Sequence, residues 1–275
     1  HGVAFLTLRT GWDLLIPALG LPKGAEVVCT AVNIPDMFEL LEHHGLVPVP
    51  VDLDPATLAP QPAAVRGAIT EKTAFILVTH LVGALVEMAP LHAIARERGL
   101  PIIEDCAQAY DGEYTGHPDS IVSMFSFGPI KTATALGGGL FRVADPALRE
   151  RLWAGQQAYP RQTRAAWLSV IANYSVMKAL SSERIYGGFV WACGVAGTSH
   201  DKIINGRVLG LKGDDWWAAL RRRPSAPLMA LLERRVRSSS RARVASRTQS
   251  GDTLLALLPP DALVLGRGAA AHTWW

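Results

Sequence analysis

Between Gly24 and Leu148 the sequence alternates repeatedly between short β-branched apolar runs and stretches with helical periodicity. The apolar runs contain four to six residues without polar alternation, which is typical of strands covered on both faces. Strands that alternate with helices indicate an α/β domain with a mainly parallel sheet. In such sheets ligands bind at the carboxyl ends of the strands, so we expect functional residues there.

The pattern predicts individual elements. The predicted strands are Glu26–Cys29, Val47–Val51, Ala74–Val78, Pro101–Glu104, Met124–Phe127 and Gly139–Val143. The predicted helices are Asp36–His44, Pro62–Ile69, Met88–Arg98 and a helix that Asp145 caps and that ends near Trp153. We therefore expect a large α/β domain over residues 1–155.

Beyond Trp153 the pattern becomes helical and less regular. Ala165–Leu180 is apolar and long enough for a buried helix, and Asp215–Arg247 predicts one or two basic amphipathic helices, anchored to the body by Trp216 and Trp217. Pro259–Pro260 predicts a turn. We expect residues 156–250 to be the helical remainder of the large domain with connecting helices, and residues 251–275 to begin an incomplete small domain.

The charges are unevenly distributed along the chain. Residues 1–150 contain 9 Lys and Arg against 17 Asp and Glu, whereas residues 151–275 contain 18 against 7. The basic excess is concentrated in Arg221–Arg247, where leucines and arginines are mixed at helical intervals. That spacing favours a solvated helix face. The alternative, a nucleic-acid surface, predicts binding that depends steeply on salt.

Composition excludes several classes of protein. Apolar residues make up 49% and charged residues 19% of the sequence, which excludes a disordered chain or a coiled coil. The three cysteines are too widely spaced for a disulfide scaffold. The best candidate for a membrane span, Ile185–His200, has only 16 residues and contains four glycines. A span needs roughly 18 apolar residues, and no signal peptide is recognisable. We therefore expect a cytoplasmic protein without a membrane span.

Lys131 is the most unusual polar residue of the α/β region. It follows an apolar strand, precedes small neutral residues, and has no acidic residue within ten positions on either side. A lysine in a desolvated pocket has a lowered pKa and becomes a nucleophile that can form a Schiff base. The simpler interpretation is an ion pair with Asp105 at the sheet edge.

Asp105, Ser126 and Lys131 all lie where predicted strands end. Pyridoxal phosphate needs a lysine, a carboxylate that keeps its pyridine nitrogen protonated, and anchors for its phosphate. These three residues have the corresponding chemistry. A dinucleotide-binding oxidoreductase is disfavoured because no G-x-G-x-x-G motif follows the first predicted strand.

Five segments together resemble the DegT/DnrJ/StrS family of pyridoxal phosphate-dependent sugar aminotransferases, which have fold type I. Two of them are EDCAQA at 104–109 and FSFGPIKTATALGGG at 125–139. The others are GAEVVCTA at 24–31, HGLVPVPVDLDPATL at 44–58 and VTHLVGALVEM at 78–88. The resemblance covers about residues 5–155. It implies a mainly parallel central sheet flanked by helices, plus part of a smaller C-terminal domain, in a chain shortened at both ends.

The resemblance also implies roles for individual residues. Lys131 would form the Schiff base with pyridoxal phosphate and move the substrate proton, Asp105 would pair with the pyridinium nitrogen, and Gln108 would lie near the ring. Phosphate would be bound by Ser126 and by the turn of Thr7, Arg9 and Thr10, which starts a helix. The chain departs from the family pattern at Leu8, Arg9, Gly137 and Ile34, the last of which takes the place of an aromatic residue that stacks on the cofactor.

The function implied by the resemblance is the transfer of an amino group from an amino acid, typically glutamate, to a nucleotide-linked keto-sugar in a homodimer. Nucleic acid is not expected as a partner, and no metal is expected. Because dehydratase relatives typically have histidine in place of the lysine, Lys131 favours aminotransfer. The departures at Leu8, Ile34 and Gly137 motivate an alternative, a catalytically inactive binding or regulatory protein, or a fragment, with the same fold.

Overall fold

The structure, a computed structural model, describes residues 2–201, 216–238, 241–259 and 261–275. Asp215, where the sequence predicts the first basic helix to begin, and Pro260, in a predicted turn, lie outside the described residues.

A seven-stranded sheet forms the centre of the described residues. Its strands are β1 (Gly2–Phe5), β2 (Glu26–Thr30), β3 (Val47–Val51), β4 (Thr73–Thr79), β6 (Ile102–Asp105), β7 (Val122–Ser126) and β8 (Gly139–Val143), in the spatial order β1-β8-β7-β6-β4-β2-β3. Strands β2, β3, β4, β6 and β7 pair in parallel, and β8 pairs antiparallel with both of its neighbours. A separate antiparallel pair consists of β5 (Ala84–Leu85) and β9 (Ala271–His272).

Helices cover both faces of the sheet. They are α1 (Leu8–Ala18), α2 (Pro35–His43), α3 (Pro62–Ala68), α4 (Ala89–Arg98) and α5 (Pro146–Gln157). The later helices are α6 (Arg164–Leu180), α7 (Glu183–Val195), α8 (Trp216–Leu220), α9 (Ala226–Arg237) and α10 (Arg241–Leu257). The predicted α/β architecture is confirmed, and each predicted strand of the sheet lies within two residues of an observed one.

Consecutive residues of the central strands face opposite apolar clusters. Phe75 and Leu77 of β4 pack in a cluster with Trp12 of α1, whereas Ile76 and Val78 pack in another with Leu91 of α4. This two-sided burial explains why the strands have apolar runs without polar alternation. The α1 helix also lies close to the sheet, because a Cβ at Gly11 would be 2.5 Å from the ring of Phe141.

The region after α5 differs from its prediction in one respect. The structure confirms a helix over 164–180, but the expectation that this helix is buried is wrong, because Trp167 is its only buried residue. Its first half packs on a cluster that includes Phe127 and Leu228, since the faces of the sheet are already covered by earlier helices. Trp216 and Trp217 do pack against the main core, as expected.

None of the helices in the described residues combines the length and the apolar character that crossing a bilayer requires.

Candidate active site

The sequence-predicted site residues come from one edge of the sheet. Asp105 ends β6 and Ser126 ends β7, and Ser126 is opposite Gly139, the first residue of the antiparallel β8. Gly139 is also opposite Phe5 at the end of β1, two residues before the N-cap of α1. Because the parallel strands end where β8 begins, the connecting segments meet at this edge.

Asp105 is buried at this edge, with a residue exposure of 2%. One carboxylate oxygen accepts a hydrogen bond from the Ala107 backbone N–H at 3.0 Å, and the other accepts one from Asn33 Nδ2 at 3.1 Å. Burial raises the pKa of Asp105, although these hydrogen bonds and the nearby charge of Lys131 oppose the shift. A buried carboxylate of this kind is stabilised by a cationic group placed opposite it.

Lys131 lies partly buried in the loop after β7 and interacts electrostatically with Asp105. Burial lowers the pKa of the Lys131 ammonium, the carboxylate of Asp105 opposes this shift, and Arg9 adds to it. The two side chains are not joined by an ion pair within 4.0 Å among the described contacts. The simple ion-pair interpretation is therefore wrong, although the charges of the two groups interact electrostatically.

Ser126 and Lys131 flank Gly128 in the same loop. A Cβ placed on Gly128 would lie 3.8 Å from Ser126 Oγ and 3.9 Å from Lys131 Cγ. In the described part of the chain, Ser126 Oγ has no hydrogen-bond partner, although its residue is only partly exposed. This hydroxyl is therefore free to bind a ligand beside Lys131.

The first turn of α1 adds backbone donors at the same edge. Thr7 caps the helix, and its Oγ1 accepts a hydrogen bond from the Thr10 backbone N–H at 3.1 Å. The backbone N–H groups of Leu8 and Arg9 lie in this first turn, where a helix offers no intrahelical acceptor. Gly139 approaches this turn so closely that a Cβ there would be 2.6 Å from Leu8 N. Helix N-termini of this kind bind phosphate.

Three of the predicted residues have other contacts, and a fourth is largely exposed. The hydroxyl of Thr10 is fully buried and donates to the Leu220 carbonyl at 2.9 Å, so it is not available to a phosphate. Gln108 Oε1 accepts a hydrogen bond from the Val82 N–H at 2.7 Å. Arg9 forms an ion pair with Asp36. Ile34 is 47% exposed and follows Asn33 directly, which places it at the rim of the site.

A buried polar network supports the strand that carries Asp105. Glu104 accepts hydrogen bonds from His80 Nε2 at 3.0 Å, from the His117 N–H at 2.8 Å and from the Tyr114 hydroxyl. His80 Nδ1 accepts a hydrogen bond from the Val86 N–H, which leaves the proton on Nε2. Burial alone would raise the pKa of Glu104, but its partners hold that pKa at about 2. The network fixes the end of β6 directly beside Asp105.

Two clusters in the described residues bring potential metal ligands within 4.8 Å of one another. In the first cluster, the carboxylate oxygens of Glu104 already accept the hydrogen bonds of the buried network and are not free to bind a metal ion. In the second, the rings of His92 and His117 stack at 4.2 Å with an interplanar angle of 23°. Metal ions bind imidazole in the ring plane, so two stacked rings do not converge on one ion. Neither cluster has the geometry of a metal site.

Two contacts of the site were not predicted from the sequence. Asn33 holds Asp105 and Thr79 through its amide nitrogen, and its position shortly after β2, at the same sheet edge, is a signal that could have revealed it. Trp275 lies with its ring 4.7 Å from Lys131 Nζ. No local pattern indicates this contact, because it depends on how residues 271–275 pair with β5.

Residues 271–275 are held over the site by backbone hydrogen bonds. Thr273 N–H donates to the Gly83 carbonyl at 2.9 Å, and Trp275 N–H donates to the Val82 carbonyl at 3.1 Å. Gly83 has a φ of +86°, and a Cβ there would lie 2.5 Å from Thr273 Oγ1. Arg247 links the same segment to the lysine loop, since it donates both to the Thr273 carbonyl and to Thr132 Oγ1.

The arrangement fits pyridoxal phosphate. It combines an amine of lowered pKa, a buried carboxylate that interacts with this amine without pairing, a free hydroxyl and a first helical turn whose Leu8 and Arg9 N–H groups have no intrahelical acceptor. These are the groups that this cofactor requires. The contact that the sequence resemblance implies and that this chain lacks is a ring stacked on the cofactor, because Ile34 offers only an apolar surface.

Comparison with known proteins points to the same chemistry. The sequence profile of the DegT/DnrJ/EryC1/StrS aminotransferase family matches residues 1–181. The erythromycin biosynthesis sensory transduction protein EryC1 of Saccharopolyspora erythraea is 36% identical over 171 residues, which cover 58% of this chain and 47% of EryC1. The UDP-4-amino-4-deoxy-L-arabinose–oxoglutarate aminotransferase of Shewanella sediminis is 30% identical over 172 residues, or 60% of this chain and 44% of that protein.

A solved structure is also similar. NtdA of Bacillus subtilis, crystallised with the bound cofactor PMP, superimposes with a TM-score of 0.54 and 26% identity, covering 60% of this chain and 38% of NtdA. The chain therefore spans less than half the length of these relatives.

Proposed function

The chain belongs to the DegT/DnrJ/EryC1/StrS aminotransferase family, and from this premise we propose that it carries the cofactor-binding site of a pyridoxal phosphate-dependent sugar aminotransferase. The observation that carries the proposal is the pair of Lys131 and Asp105 at the carboxyl edge of the sheet, whose charges interact without forming an ion pair. When bound, pyridoxal phosphate supplies an aldehyde that accepts amino groups and a ring that withdraws electrons from the adjacent carbon.

Each residue of the site has a distinct role in the proposal. Lys131 holds the cofactor through Nζ and, once released, moves a proton at the substrate carbon. The pKa of Lys131, lowered by burial, favours the neutral amine that can accept this proton. Asp105 keeps a proton on the ring nitrogen by Coulomb attraction.

Phosphate binding is assigned to Ser126 Oγ and to the first turn of α1, where Thr7 is the cap and Leu8 and Arg9 supply backbone N–H groups. The Arg9 side chain neutralises part of the phosphate charge while it is shared with Asp36. Gln108 and Ile34 would lie beside the ring. The amide NH₂ of Gln108 would face the ring, because its oxygen accepts a hydrogen bond from the Val82 N–H.

The substrates are proposed on the basis of the relatives. The names of the relatives include a sugar nucleotide and oxoglutarate, so we assign glutamate as the amino donor and a nucleotide-linked keto-sugar as the acceptor. We also assign a cytoplasmic homodimer. The alternative, a binding or regulatory protein without turnover, is supported by the sensory transduction name of EryC1 and by the exposed Ile34 in place of a stacking ring.

Borohydride reduction tests the site. The protein is incubated with pyridoxal phosphate, reduced, digested and mapped, and we expect the label on Lys131. Lys131→Ala should lose the label and more than about a thousandfold of the amino-transfer rate. Lys72→Ala, which removes an exposed lysine, should change neither.

The outcomes separate the candidate functions. A label on another lysine contradicts the catalytic assignment. A label on Lys131 without any change of the cofactor absorbance on addition of glutamate or another amino acid favours the regulatory protein.

A further inference from the structure

The helices α6 and α7 expose apolar side chains that the rest of the described protein does not cover. Along α6 the exposed positions Leu168, Ala172 and Val176 follow one another at intervals of four residues and so lie on one stripe. In α7 Cys193 is the only buried residue, whereas Trp191 and Val195 are 72% and 73% exposed. Such a density of exposed apolar groups marks an interaction surface.

The two helices form a hairpin that is anchored at one end. Trp167, Val170 and Ile171 in the first half of α6 pack on the cluster behind the lysine loop. The helix α7 packs on α6 and contributes no residue to the apolar clusters of the described part of the chain. The apolar surface therefore projects from the body while its base is fixed.

Charges are confined to the ends of this hairpin. Arg161 and Arg164 lie at the start of α6, and Lys178 and Arg184 lie around the turn that joins the helices. The 13 residues from 165 to 177 and the 16 residues from 185 to 200 contain no Lys, Arg, Asp or Glu. At the start of α6, Arg161 forms a backbone bridge with Arg223, which adds a further cation there. The carboxylates of the segment are Glu183 at the turn and Asp201 beyond α7.

We propose that the α6–α7 hairpin docks the protein on the surface of a bilayer that contains anionic phospholipid. A helix that is apolar around most of its circumference requires an apolar surrounding, and a bilayer surrounds a projecting helix more completely than a flat protein surface does. The helices, roughly 26 Å and 20 Å long at about 1.5 Å per residue, do not meet the requirements for crossing a bilayer, so the proposed contact is with its surface.

The side-chain chemistry favours this occupant over a second copy of the chain. Tyr174, Tyr186 and Trp191 are amphipathic aromatic residues, which concentrate at membrane interfaces. Cations lie at both the start of α6 and the turn, so two copies paired through this hairpin would bring cations together. Anionic headgroups would instead attract them, by about fivefold in affinity for each cation near the surface.

Vesicle sedimentation of the full chain tests the proposal. Vesicles of phosphatidylglycerol mixed with phosphatidylcholine should bind the protein more tightly than vesicles of phosphatidylcholine alone, and salt should reduce the difference. The double substitution Trp191→Glu and Val195→Glu should reduce binding at least tenfold. The matched control Trp153→Glu, on α5 and also exposed at 58%, should bind like the unmodified protein.

The charge component is tested separately. Replacing Lys178 and Arg184 by Gln should reduce the affinity for the anionic vesicles by about 25-fold, because each of the two cations contributes about fivefold. Binding to vesicles of phosphatidylcholine alone should not change. The proposal is overturned if the unmodified protein binds neither vesicle, or if Trp191→Glu with Val195→Glu binds as well as the control. It is also overturned if light scattering shows that the unmodified protein is a dimer and the Trp191→Glu, Val195→Glu variant a monomer, while neither binds vesicles. That result would assign the surface to a second copy of the chain.

Discussion

The sheet region and the α6–α7 hairpin are both rich in apolar residues, but they bury them to different extents. In β4 every residue except Ala74 is buried, because β2 and β6 flank this strand while helices cover both faces. In α7 the single buried residue is Cys193. Apolar content therefore predicts burial only where the topology supplies neighbours on all sides.

The comparison predicts a large loss of stability for one aromatic truncation and almost none for another. Phe75→Ala removes a ring that is 1% exposed and packs edge-on against Trp12 at 6.2 Å, so it should lower the free energy of unfolding by about 3–5 kcal/mol. Trp191→Ala removes a ring that is 72% exposed, so it should change the free energy of unfolding by less than about 0.5 kcal/mol. Urea unfolding of both variants measures the contrast. A loss above about 1 kcal/mol for Trp191→Ala would show that α7 is covered in solution.

The difference in burial between the sheet region and the hairpin explains which features could be predicted from the sequence. The central strands were predictable because burial on both faces leaves a continuous apolar run. The positions of Asp105, Ser126 and Lys131 near the carboxyl ends of strands were predictable because these residues end or follow such runs. The exposure of α6 was not predictable, because helical periodicity does not say whether a neighbour exists. The contact of Trp275 with Lys131 was not predictable either, because it joins residues 144 positions apart through the pairing of β5 with β9.

A buried ion cluster around Asp13, outside the α6–α7 hairpin, gives the next largest effect on the free energy of unfolding. Asp13 in α1 is 1% exposed and accepts two hydrogen bonds from Arg221, at 2.8 and 3.0 Å, one from His44 and one from Tyr159. Asp13→Ala should cost about 2–3 kcal/mol, less than a fully buried pair, because the Arg221 side chain is 37% exposed. Thermal unfolding at neutral pH measures this loss, and Asp145→Ala, which removes only an exposed helix cap, should cost about 1 kcal/mol.

The Asp13 contribution should depend on pH. Burial tends to raise the pKa of Asp13, but the hydrogen bonds from Arg221, His44 and Tyr159 hold it below the usual 3.8. The carboxylate therefore stabilises the fold fully above about pH 4 and loses this effect as the pH falls through its lower folded pKa. The difference between the native chain and Asp13→Ala should shrink below pH 4. A difference that stays constant down to full acid unfolding would contradict this assignment.

The smallest effect concerns Asn33, through which the sheet region positions Asp105. Asn33→Ala removes the hydrogen bond to the buried carboxylate, so the pKa of Asp105 should rise further and amino transfer should slow by about tenfold, or 1.4 kcal/mol. Thr79→Val is the matched control, because it removes the other acceptor of the Asn33 amide and leaves the bond to Asp105. The readouts are kcat/KM and the pH titration of the absorbance of the bound cofactor. An equal loss in both variants would mean that Asn33 only supports the local fold, whereas a shifted titration in Asn33→Ala alone would assign it to holding Asp105 opposite the ring nitrogen.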